Sequence, residues 1–171
     1  MTNHPFIVAV VLLSLVSLAI ATPASAVVDF NLAGSLDFQG SLDLDGFTPD
    51  ADPGFTLGLE VMFDVPIVEL GAGIEYGFPR SVDGGGDLDY WNLYGVARLS
   101  LFLKIYLVGR IGYASSSADD FLAGDLEDNS ASWSLGAGIG IIPKFKVELL
   151  FSDFGGDLKY QTWSTRAIYT F

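Results

Sequence analysis

From Phe30 to Phe38 the even positions are Phe30, Leu32, Gly34, Leu36 and Phe38, and the odd ones are Asn31, Ala33, Ser35 and Asp37. A period of two is that of a β-strand, whose successive side chains point to opposite faces. The same alternation recurs in seven later segments. Phe55, Leu57, Leu59, Val61 and Phe63 alternate with Thr56, Gly58, Glu60 and Met62. Val68, Leu70, Ala72, Ile74 and Tyr76 alternate with Glu69, Gly71, Gly73 and Glu75, and a weaker stripe sets Trp91, Leu93, Gly95, Ala97 and Leu99 against Asn92, Tyr94, Val96 and Arg98. Ile105, Leu107, Gly109, Ile111 and Tyr113 then oppose Tyr106, Val108, Arg110 and Gly112, and Trp133 to Ile141 repeats the design. Phe145, Val147, Leu149 and Phe151 oppose Lys146, Glu148 and Leu150; Trp163, Thr165, Ala167, Tyr169 and Phe171 close the series.

Most stripes run about nine residues, close to the roughly 9–11 that a tilted strand needs to cross the hydrocarbon layer. Helices are disfavoured because the glycines would make poor helix interiors. The connections alternate in length. Short ones hold Asp64-Val65-Pro66, Leu101-Phe102-Leu103 and Ile142-Pro143-Lys144; longer ones cover 39–54, 78–90 and 114–132, with a modest one over 152–162. Short turns at one end and longer loops at the other predict an all-β fold: an eight-stranded antiparallel up-and-down transmembrane β-barrel.

Alternation alone leaves open which face is outside. Aromatic residues collect at the stripe ends: Phe38, Phe55, Tyr76, Trp91, Tyr113, Trp133, Phe151 and Trp163 at the loop end, and Phe30, Phe63, Phe145, Tyr169 and Phe171 at the turn end. Two such girdles suit the headgroup regions of a bilayer. The opposite face is rich in Gly and Ser with charges of both signs, which fits a narrow lumen better than a water-facing surface.

The segment before the first strand reads as a secretory signal peptide. An apolar run from Phe6 to Ala21 is broken at Thr22-Pro23 and followed by the small residues Ala24-Ser25-Ala26, although the residues before it carry no Lys or Arg. The expected division is a signal peptide over 1–26 and a barrel domain over 27–171. The chain has no Cys, which excludes disulfides, thiolate metal sites and a lipid-modified cysteine. A net charge of −13 disfavours a nucleic-acid partner.

The alternation, the girdles and the tail Tyr169-Thr170-Phe171 resemble small outer-membrane β-barrel proteins such as the OmpA transmembrane domain and OmpX. The resemblance covers the chain after the signal segment as a pattern and rests on no long motif. It implies residence in a Gram-negative-type outer membrane with periplasmic termini, contact with outer-membrane lipid and lipopolysaccharide, and a monomer. It also implies that Trp163, Tyr169 and Phe171, with Thr165 and Ala167 between them, form the signal read by the barrel-assembly machinery.

Inside such a barrel the charges fall in layers. Counted from the turn end, Glu60 and Glu148 lie about three residues up and Arg110 and Arg166 about five, with Glu148 and Arg166 on adjacent strands. Glu69, Arg98 and Lys146 are expected below them. Buried charges must be paired, so these seven residues form a candidate luminal network that either fills the lumen or gates a narrow pore. Enzyme chemistry is disfavoured, because His4 is the only His and lies in the signal segment. No cofactor is implied. The loops carry Asp43, Asp45, Asp50 and Asp52, and Asp119, Asp120, Asp125, Glu127 and Asp128; Asp43-Leu44-Asp45-Gly46 matches only the start of a calcium loop. Three functions remain: a structural or surface-interaction barrel with a charged, filled lumen; a small passive channel for ions or small solutes; and a soluble exported barrel that binds an apolar ligand.

Overall fold

The computed structural model describes residues 28–43, 48–65, 67–83, 86–102, 104–121, 124–156 and 159–171, with side chains for all of these except 118–121 and 124–126. The signal segment therefore lies outside the described residues, as do Asp45, Pro66 and Leu103.

Every element among the described residues is a strand: β1 (Val28–Asp43), β2 (Asp50–Ala51), β3 (Gly54–Val65), β4 (Val68–Ser81), β5 (Asp87–Phe102), β6 (Ile105–Phe121), β7 (Gly124–Ile142), β8 (Phe145–Phe154) and β9 (Lys159–Thr170). Each long strand pairs antiparallel with its neighbours in sequence, and β9 returns to β1 from Asn31↔Thr170 to Asp43↔Lys159. This last ladder closes an eight-stranded barrel and removes both sheet edges, as a membrane requires of strands. The two-residue β2 does not add a ninth stave. It pairs with β1 through Gly40↔Ala51 and bridges to β4 through Ala51↔Val82, so it occupies the place of β3 above the break at Asp52-Pro53.

The alternation is resolved in the predicted sense. Phe30, Leu36, Leu59, Ile111, Leu135 and Trp91 face outward with more than half of their surface exposed, while Asn31, Glu60, Arg98 and Glu148 face inward and are buried. Phe63, expected in the turn-end girdle, keeps only 9% exposure, flanked in register by Val28 and Leu70.

The loop boundaries need correction. Much of what alternation leaves as long loops is strand. β6 and β7 continue as a paired hairpin to Phe121↔Gly124, and β4 and β5 continue to Ser81↔Asp87. The sequence hides the β4 extension because a bulge breaks the period, and a second bulge does the same in β1. In β1 the register shifts between Asp37 and Gln39, and in β4 between Gly77 and Arg80. At each bulge two successive residues, Phe38-Gln39 and Phe78-Pro79, are exposed, and the strand resumes with inward side chains on the other parity, Leu42 and Arg80. A bulge inserts one residue and so re-aims the side chains beyond it.

Inward glycines make room for rings. A methyl group at Gly73 would strike Tyr94, at Gly77 Tyr90, and at Gly138 Tyr106, in each case the register partner on the next strand. At Gly136 the obstruction is the backbone carbonyl of Leu149, which cannot swing aside. Gly136→Ala should therefore lower stability by about 1–3 kcal/mol through overpacking, whereas outward Gly95→Ala, with no atom nearer than 3.8 Å, should change it by less than about 0.5 kcal/mol. Urea unfolding from phosphatidylcholine vesicles, followed by tryptophan fluorescence, checks the contrast.

Candidate functional site: the luminal charge network

All four arginines of the sequence, Arg80, Arg98, Arg110 and Arg166, are buried inside the barrel. The middle layer holds three of them against three glutamates. Arg98, on β5, bridges β3 and β8: its Nη2 donates to Glu60 at 2.8 Å and its Nε to Glu148 at 2.6 Å. Arg110 donates to Glu148 at 2.6 Å and stands 3.6 Å from Glu60 and 3.8 Å from Glu75. Arg166 donates to Glu75 at 2.6 Å and to Glu60 at 3.1 Å. Side-chain exposure is 1% for Arg98 and Arg166 and 0% for Glu60 and Glu148.

Neutral groups complete the layer. Tyr94 lies at its centre; its hydroxyl donates to Glu60 at 3.0 Å and accepts from Arg166 at 2.7 Å. Tyr106 donates to Glu148 at 3.2 Å, and the Arg98 Nη1 meets the Met62 sulfur at 3.3 Å. The Arg110 guanidinium stands 5.0 Å from the Tyr94 ring centroid, an attractive contact with the π-face. Asn92 donates to Glu75 at 3.3 Å and accepts from Ser132 at 2.8 Å.

Two further ion pairs flank this layer. Toward the turn end, Lys146 donates to both carboxylate oxygens of Glu69 at 2.6 Å, with part of both side chains exposed. Toward the hairpin end, Arg80 pairs with Asp37 and donates to the Tyr160 hydroxyl at 2.8 Å. Leu42, Ala51, Val82, Leu88, Tyr90, Ala114, Phe154 and Tyr160 then form an apolar layer above.

The structure thus brings Glu60, Arg98, Arg110, Glu148 and Arg166 into one cluster and sets Glu69 and Lys146 beside it. Arg98, expected below the middle layer, is instead its bridge, since its long side chain reaches across the lumen. Glu148 and Arg166 face each other in register, but each guanidinium and carboxylate turns to partners on other strands. Asp37, Glu75 and Arg80 were missed as members. Asp37 and Glu75 already stood on the inward stripe; Arg80 was hidden by the β4 bulge, whose only sequence signal is Phe78-Pro79 interrupting the period.

These ten charges cancel. At the turn end Lys104 and Lys144 match Asp29 and Asp64. Twelve of the other acidic residues lie among the described residues, all toward the hairpin end with Lys159, so the acidic excess of the described residues falls at that end. Among the described residues no group of three or more His, Cys, Asp or Glu side chains is placed to hold a metal ion.

A lumen lined with ion pairs inside an apolar exterior is the inverse of a soluble barrel built around an apolar ligand, and overturns that alternative. The sequence matches the model of the outer membrane protein beta-barrel domain over residues 8–171. The chain belongs to that family. Among solved structures, it is similar to Ail, the attachment invasion locus protein of Yersinia pestis, at 17% identity and a TM-score of 0.61, over 84% of this chain and 97% of Ail. It is likewise similar to Neisserial surface protein A, at 11% identity and a TM-score of 0.57, over 83% of this chain and 97% of that one. The N-terminal barrel of Pseudomonas aeruginosa OprF is similar at 13% identity and a TM-score of 0.50, over 84% and 96%. These likenesses show the fold. No curated protein matches the sequence. The protein is a small outer-membrane β-barrel, and its exposed apolar stripes are the surface that faces lipid.

Removing one partner of a buried pair leaves the other charge uncompensated. Arg98→Met should destabilise this barrel by about 3–5 kcal/mol. Lys146→Met, at the partly solvated pair, should cost about 1 kcal/mol or less. Equilibrium unfolding of both variants in the same vesicles measures the difference.

Proposed function

We propose that this barrel is a structural or surface-interaction protein of the outer membrane whose lumen is filled by its own ion pairs and does not conduct. The observation that carries this reading is the middle layer: three arginines and three glutamates, all buried, mutually bonded and without net charge. An ion entering it would have to displace pairs whose desolvation is already offset by their partners. The proposed orientation sets the termini and short turns in the periplasm and the β6–β7 hairpin outside. The acidic hairpin end would then face the medium, where it would engage partners by charge and by its rim. Ail has also been solved in complex with the heparin analogue sucrose octasulfate; the acidic hairpin end of the present chain would repel such a polyanion. No catalytic role is proposed, since His4 is the sole histidine and cysteine is absent.

A second reading, a passive channel gated by partner exchange, draws support from Arg110. It stands within 4.0 Å of Glu60, Glu75 and Glu148, so its guanidinium has alternative carboxylates to move between. Single-channel recording in planar bilayers separates the two. The filled-lumen reading predicts no resolvable steps from the wild-type barrel, and none from Arg110→Ala if it folds. Discrete wild-type openings that Arg110→Ala abolishes or locks open would favour the gate.

A further inference from the structure

The β1 bulge does more than re-aim Leu42. It turns Gln39 outward and sets it opposite Trp163 of β9. One step further from the membrane, Ser41 stands opposite Gln161 on one side and Asp50 of β2 on the other. Gln161 in turn faces Asp153 of β8 and donates to it at 2.5 Å. A polar row of Asp153, Gln161, Ser41 and Asp50 thus crosses β8, β9, β1 and β2, with Asp153 itself buried. Directly below it Phe151 stands opposite Trp163, their ring centroids 5.4 Å apart, with Gln39 on the far side of Trp163; Trp133, opposite Asp153, packs on Phe151 at 5.6 Å. A cleft of about 270 Å³ opens between the two rows, on the seam where β9 closes against β1. The Gln39 and Ser41 side chains at its edge have no hydrogen-bond partner among the described residues.

We infer that this cleft is a lateral binding site for the uncharged sugar headgroup of a membrane glycolipid. The aromatic row is the upper limit of the lipid-facing stripes, the level at which a headgroup meets water. Ring faces suit the C–H face of a pyranose, and amide, hydroxyl and carboxylate groups suit its hydroxyls. Charge selects against a phosphate headgroup. The one cation nearby among the described residues, Lys159, is drawn 4.0 Å from the Asp153 carboxylate, while Asp50 presents negative charge to the cleft. Gln39 and Ser41, without a hydrogen-bond partner among the described residues, are donors left for a ligand, and only the bulge brings Gln39 to this face. The inference rests on the barrel's seat in a membrane and is independent of whether the lumen conducts.

The test uses the full barrel in phosphatidylcholine nanodiscs, with the indole N–H resonances of its tryptophans followed by NMR. Trp91, on β5 across the barrel, is the internal control. Doping with monogalactosyl diacylglycerol should shift the Trp163 resonance saturably and leave Trp91 in place. Phosphatidylglycerol at the same mole fraction should not shift it, and free galactose should not shift it at comparable concentration. Loss of one hydrogen bond in Gln39→Leu should weaken the apparent affinity about threefold to tenfold, and Ser41→Ala serves in the same way should Gln39→Leu fail to fold. Equal shifts at Trp163 and Trp91, an equal response to phosphatidylglycerol, or undiminished affinity in both folded variants would overturn the site.

Discussion

Eight charged side chains taken out of water inside one narrow lumen, with the partly exposed Glu69–Lys146 pair beside them, are the condition on which this barrel is arranged. Isolated, any of them would be costly to bury; the fold tolerates them because each cation finds a carboxylate on a strand other than its own. Arg98 ties β5 to β3 and β8, and Arg166 ties β9 to β3 and β4. The network thus works as cross-bracing for a cylinder whose backbone hydrogen bonds run only between adjacent strands. Glycines at Gly73, Gly77 and Gly138 leave the space into which Tyr94, Tyr90 and Tyr106 fold.

The polar interior also stems from the period. A strand that faces lipid on one side and a small lumen on the other must alternate, and alternation keeps the strands free of the roughly 18 consecutive apolar residues that would read as a spanning helix. Charge is then sorted by level. Lumen and turn end are neutral, and the hairpin end holds the excess acid. Neutrality where the chain is buried and repulsion where it meets solvent are two consequences of one distribution.

Most of the fold was legible because a membrane barrel writes its geometry in period two. Phe30 to Phe38 and Trp163 to Phe171 needed only counting. Legibility failed where the period slips. The bulge before Arg80 made an inward arginine resemble a loop residue, and Ala114 to Ser132, with its run of serines and acids, gave no apolar stripe although its described backbone pairs as far as Phe121↔Gly124. Above the membrane, strand pairing no longer needs an apolar outer face, so the signal disappears while the ladder goes on. Within the site, counting along a strand yields the height of each Cα but not the reach of its side chain. Arg98 was for that reason placed below the layer it bridges, and Glu148 and Arg166, opposite in register, take different partners.

Closure of the lumen by persistent, water-excluded ion pairs is tested most directly by hydrogen exchange of the Arg98 Nε–H, observed by NMR of the barrel in lipid nanodiscs. That proton is donated to Glu148 at the centre of the network. Exchange slower by orders of magnitude than in free arginine is the predicted result. Exchange at the rate of free arginine, in a barrel whose backbone amides remain protected, would contradict it.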